Sequence, residues 1–115
     1  MNNQEAYDRM VTHLLTQNAR AMNRSEVCLY RFADAEDDTM MMCAVGCLIP
    51  DELYSTKLEE IPIGALIGKG SYHNEGIAKL FAGVSATLLG DMQHIHDDPP
   101  IEDWPELMKG VADRY

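Results

Sequence analysis

Cys43-Ala44-Val45-Gly46-Cys47-Leu48-Ile49-Pro50-Asp51-Glu52-Leu53-Tyr54 is the most apolar run of the chain and carries two of its three cysteines. Unbroken apolar character over residues 39–45 reads as a strand covered on both faces. Gly46 ends that strand or lets another backbone come close. Pro50-Asp51-Glu52 then opens one helical turn over residues 51–54, with proline at its start and acids at the positive end of the helix dipole. The fold is decided by what leads into this stretch and what covers it.

Leading in, Val27-Cys28-Leu29-Tyr30-Arg31 is a short β-type run, and Asp34-Ala35-Glu36-Asp37-Asp38 is a polar loop. Two apolar runs joined by such a loop predict a hairpin. The loop has no Asn-Gly or Asp-Gly, so its turn type is unspecified. On an ideal strand Leu29 and Arg31 share one side, and Cys28 and Tyr30 the other. Residues 2–20 predict a helix: Asn2 can cap it with Glu5 three residues on, and Tyr7, Met10, Val11, Leu14 and Leu15 form one apolar stripe. His13 falls at the edge of that stripe.

Covering the stretch, residues 61–67 are apolar but interrupted by Pro62 and Gly64, which fits a buried loop or a short helix starting near Pro62. Residues 74–96 predict the longest helix, capped by Asn74, with Ile77, Leu80, Phe81, Val84, Leu88, Met92 and Ile95 holding the helical period. Gly83 and Gly90 weaken it slightly and make room for a close neighbour. Asp97-Asp98-Pro99-Pro100 stops it. A last helix over residues 101–113 tolerates Pro105 in its first turn and buries Trp104, Leu107, Met108 and Val111. Two helices joined by a short turn pack antiparallel. The reading is a single small α+β domain: a β-hairpin, with a third strand left open, packed against three main helices.

The chain has 115 residues, enough to bury a core without disulfides or metals. Eight methionines are many for this length, and whether Met40, Met41 and Met42 fill the core or form an adaptable interface stays open. The net charge of −10 is unevenly placed. Residues 33–60 hold eight acids and one lysine, and residues 91–106 hold six acids and no lysine or arginine. Such a surface repels nucleic-acid backbones and suits a basic partner, although charge runs are commonly just solvated faces. The first residues have neither a basic region nor an apolar run, so no secretory leader is expected. No run approaches the ~20 apolar residues of a membrane helix. Three cysteines without a secretion signal predict a cytoplasmic chain with reduced thiols.

Four constellations invite chemistry. Cys43-x-x-x-Cys47, Cys28 and His94-x-His96 have zinc-binding residue types, but there is no C-x-x-C, and the two histidines point to different helix faces. A cysteine beside His94 or His96 would make a thiolate pair, yet Cys43 and Cys47 sit among apolar residues, which keeps thiols protonated. His94, His96, Asp97 and Asp98 cluster at a helix end in a group able to hold a divalent ion. The acids there oppose the helix dipole. Gly68-Lys69-Gly70 lacks the spacing of a phosphate loop. No catalytic residue, metal or cofactor is assigned. The fourth constellation is a binding surface in two acidic patches. One comprises Asp34, Glu36, Asp37, Asp38, Asp51 and Glu52, and the other Asp98, Glu102, Asp103 and Glu106. Carboxylates at this density can imitate the phosphates of a duplex.

Cys28-Leu29-Tyr30-Arg31, the quoted stretch from Cys43 to Tyr54, and His96-Asp97 followed by Trp104 together resemble a pattern in small proteins of bacteriophages and prophages. There an N-terminal helix precedes a C-x-Y-R strand, a C-A-V-G-x-L-I-P-D-x-x-Y core and a late H-D…W element. Where that pattern continues with Glu-Gly after the tyrosine, this chain has Lys57-Leu58-Glu59-Glu60. The resemblance implies a phage origin and brings no catalytic residue. The resulting expectation is a non-enzymatic phage accessory protein that binds and inhibits a defence or nucleic-acid-binding protein of the host through its acidic surface, without touching nucleic acid or membrane. A dimer is left open. One alternative is a sponge for a small molecule or nucleotide, with Arg24, Arg31, Lys69 and Lys79 as the cationic candidates. The other is a small metal-dependent enzyme using His94, His96 and a nearby carboxylate.

Overall fold

In the computed structural model, which describes residues 1–22, 28–33 and 40–114, the quoted stretch lies at the centre of the core. Cys43, Ala44, Val45, Leu48 and Ile49 are each no more than 2% exposed. It is not a strand over most of its length. The strand stops at Met42, and a 3-10 turn at Gly46–Leu48 follows. The reason is Gly46, where a Cβ would lie 2.1 Å from the backbone oxygen of Tyr30. The two backbones touch, and the Cys43 amide donates to that same oxygen. The turn after Pro50 forms as expected, with the Tyr54 amide donating to the Pro50 carbonyl at 3.1 Å.

The hairpin is present but small. β1 (Arg31–Ala33) pairs antiparallel with β2 (Met40–Met42), with Arg31 opposite Met42 and Ala33 opposite Met40. The first strand thus begins where the sequence placed its end. Cys28 makes only an isolated bridge to Met22, because Tyr30 turns inward instead of continuing a ladder. Its hydroxyl donates to the Ile61 carbonyl, and its amide donates to a Glu59 carboxylate oxygen at 2.8 Å. Among the described residues the sheet has two strands and no third. β2 is not covered on both faces: Met40 is 53% exposed, and Met41 and Met42 are half-buried.

The hairpin packs with three main helices, and two shorter ones complete the helices among the described residues. α1 (Asn3–Gln17) starts where the Asn2 side chain accepts from the Glu5 amide at 2.9 Å. It ends at Asn18, whose left-handed φ of 50° turns the chain out before Arg20. Ala6, Met10 and Leu14 are its buried residues, while Leu15 is 44% exposed. α2 (Ile63–Ile67) begins directly after Pro62. The long helix predicted over 74–96 is two: α3 (Glu75–Leu80), capped by Asn74, and α4 (Ala86–Asp97), capped by Ser85. The break falls at Gly83, where a Cβ would meet the Met1 backbone oxygen at 2.5 Å. The start of the chain crosses there, and Asn3 accepts from the Ser85 amide at 2.7 Å. A 3-10 turn at Ile101–Asp103 leads into α5 (Trp104–Ala112), which buries Trp104, Met108 and Val111 and leaves Leu107 40% exposed. α4 and α5 run antiparallel, since His96 stacks on Trp104 at one end while Arg114 pairs with Asp91 at the other at 3.5 Å. α1 packs on both and on the Gly46 turn. Its Tyr7 hydroxyl donates to the Met108 carbonyl at 2.8 Å. No helix among the described residues is long and apolar enough to cross a membrane.

Candidate functional site

Three places matter: a network at the end of α4, a cleft beside it, and the exposed acids beyond it. The network is centred on Asp97. His96 is fully buried. Its Nε2 lies 3.0 Å from the Ala21 amide, a group that can only donate, so Nε2 must accept. The proton of the neutral ring therefore sits on Nδ1, which donates to Asp97 at 2.6 Å. Gln93 donates to the same Asp97 oxygen at 2.9 Å, and the Cys28 thiol also donates to Asp97. Burial pushes the Asp97 carboxyl up, but these hydrogen bonds prevail and hold it below the ordinary carboxylate value. Arg20 closes the end of the helix: it donates to the His96 carbonyl at 2.8 Å and to the Pro99 carbonyl, and its guanidinium lies 5.9 Å from the Trp104 ring centre.

Cys28, His96 and Asp97 offer ligand atoms within 4.8 Å of one another, the spacing of a metal centre. The hydrogen bonds work against that use. With Nε2 accepting from a backbone amide and Nδ1 protonated, His96 has no lone pair left for a cation. The other two cysteines take no part in the cluster. A thiolate pair fails on the same geometry, because Asp97 accepts from both Cys28 and His96 and so occupies the place of the base. Burial, then the Asp97 charge, pushes the Cys28 thiol up to about 11. Burial likewise pushes Cys43 up to about 12 and Cys47 up to about 11. As their spacing implies, the two histidines face different sides: His94 has 71% of its side chain exposed and sits 3.9 Å from Asp98, while His96 faces the core.

The cleft, of about 560 Å³, runs between α4 and the segment leading into α2. Leu29, Ile61 and Ile63 give it apolar walls, Ala86 and Gly90 of α4 leave it open, and Glu59, Glu60 and Asp97 line it with carboxylates. Glu59 is held firmly: it accepts from the Tyr30 and Arg31 amides at 2.8 and 3.2 Å and from the Tyr54 hydroxyl at 2.6 Å. Glu60 has a left-handed φ of 69°.

The sequence-predicted acids divide. Asp34, Glu36, Asp37 and Asp38 lie outside the described residues. Asp51 and Glu52 are exposed, and Asp51 pairs with Arg31 at 2.7 Å. Asp98, Glu102, Asp103 and Glu106 are all exposed along the connection from α4 into α5. Asp98 faces His94, Glu106 pairs with Lys109 at 3.5 Å, and Glu102 and Asp103 have no ion pair among the described residues. Of the cationic candidates, Arg31 is committed to Asp51, to the Ile49 carbonyl at 2.7 Å and to the Tyr54 ring at 4.5 Å. Lys79 pairs with Glu75, Lys69 is exposed, and Arg24 lies outside the described residues. Among the described residues, Arg31, Lys69 and Lys79 line none of the clefts.

Sequence reasoning missed Arg20 as the clamp on α4, Glu59 as the bracket beneath Tyr30, and Asp97 as a hub. Arg20 and Glu59 have no local signal, since their main partners lie far along the chain, whereas Asp97 bonds locally to Gln93 and His96 and only its link to Cys28 depends on the fold. Compared with protein-family models, curated proteins and solved structures, the chain finds no match in any of the three.

Proposed function

We propose that this chain is a non-catalytic binding protein of phage origin that engages a basic surface on a host protein and competes there with nucleic acid. The observation that carries the reading is the run of four exposed carboxylates from Asp98 to Glu106, in a segment with no lysine or arginine between residues 91 and 106. Two of the four, Glu102 and Asp103, are free of ion pairs among the described residues and available to a partner's cations. The connection that carries them is braced from beneath by Arg20 and Trp104, so the charges stand on a fixed platform. The phage-like pattern of Cys28 to Arg31 and Cys43 to Tyr54 supports the origin. Binding without catalysis is supported by three thiols held protonated and a buried histidine with both ring nitrogens engaged.

The test is DNA displacement. The protein is titrated into preformed complexes of a labelled duplex with basic DNA-binding proteins of the host, and released duplex is measured. Release by the wild type, lowered by roughly tenfold or more in Glu102→Lys/Asp103→Lys, is the expected result. Failure to release duplex from any of them overturns the reading.

A further inference from the structure

Gly90 is a glycine that the fold itself does not need. It stands inside α4, where glycine weakens a helix relative to alanine. At Gly46 and Gly83 the missing side chain is repaid by a backbone in contact. At Gly90 a Cβ would meet no atom within 4 Å, and the same holds for Gly64 on the other wall of the cleft. The two glycines keep the 560 Å³ cleft open, a volume within the ordinary range of ligand sites.

What the cleft would take follows from its lining. The walls are apolar, the charged groups are Glu59, Glu60 and Asp97, and no lysine or arginine lines it. Asp97 is held ionised by its hydrogen bonds, and Glu59 is fixed by two backbone amides and a tyrosine hydroxyl. An arginine or lysine side chain matches this arrangement, since an apolar stem carries a cationic head. We propose that the cleft receives one such side chain from the basic partner, its stem along Leu29 and Ile63 and its head among the three carboxylates. The inference rests on the function proposed above and names where that partner's anchoring residue sits.

A fluorescein-labelled hexa-arginine peptide serves as probe, followed by anisotropy at low salt. The wild type binds it. Gly90→Leu, which fills the cleft, weakens binding by roughly tenfold or more, while its melting temperature equals or exceeds that of the wild type. If Gly90→Leu melts lower than the wild type, Glu60→Lys decides in its place, because Glu60 is exposed at the cleft and its charge reversal opposes the same cation. Unchanged affinity in the deciding variant overturns the cleft assignment and leaves the acidic-surface reading standing. No binding by the wild type overturns both. Equal affinity for free arginine methyl ester and for the peptide overturns the assignment to a protein side chain.

Discussion

One methyl group at Gly46 would lie 2.1 Å from the Tyr30 carbonyl oxygen, a backbone atom that cannot move aside without carrying β1 with it. Gly46→Ala is therefore expected to cost about 3 kcal/mol or more, read from urea denaturation. Asp97 makes the complementary case for charge. Its folded carboxyl titrates below the ordinary 3.8, so it binds its proton less readily folded than unfolded. Its stabilising contribution is complete above 3.8 and is lost as the pH falls through the lower folded value. Stability measured against pH should show the wild type exceeding Asp97→Asn by a constant margin near neutrality and a shrinking one in acid. A margin independent of pH would contradict the network around Asp97.

At the scale of the element, α4 offers two opposite changes. Ser85 accepts from the Leu88 amide at 3.3 Å and caps the helix, so Ser85→Ala should lower stability by about 1 kcal/mol. Gly90→Ala should raise it by about 1 kcal/mol, because the added methyl meets nothing. Thermal melts of both variants check the pair. The same helix shows where the sequence was legible and where it was not. Its apolar period, its end before the two prolines and the helix that follows were all readable from local pattern. The break between α3 and α4 was not, because periodicity runs straight through it and its cause is the Met1 backbone, far away in sequence. The exposure of Leu15 and Leu107 has the same origin: helical spacing names a face, and tertiary packing decides its width. Strand β1 was misplaced by several residues because the inward turn at Tyr30 depends on Glu59, which no strand pattern contains.

At the scale of the whole molecule, the excess of acid was legible from composition, while the cleft was not, since Glu59 and Glu60 come to line one cleft with Asp97 only through the fold. A net charge of −10 repels itself in the folded state. Raising sodium chloride from about 10 to about 200 mM should raise the melting temperature by screening that repulsion, and a fall instead would mean that specific ion pairs dominate. The stitches that hold α1 have a further consequence. Asn3 bonds to Ser85, Tyr7 to Met108, Arg20 to His96 and Pro99, and Ala21 to His96. One side of α1 and of the residues just after it is thus fastened to segments synthesised some seventy or more residues later, while His13 and Gln17 on its other side bond to Met42. Its docking on α4 and α5 must wait until residues 85–108 have emerged from the exit tunnel, with only the Met42 and Gly46 side of its packing available before then. Completion of the core is then a late event of synthesis, and nascent chains stalled before that point should remain open to proteolysis while released chains resist it.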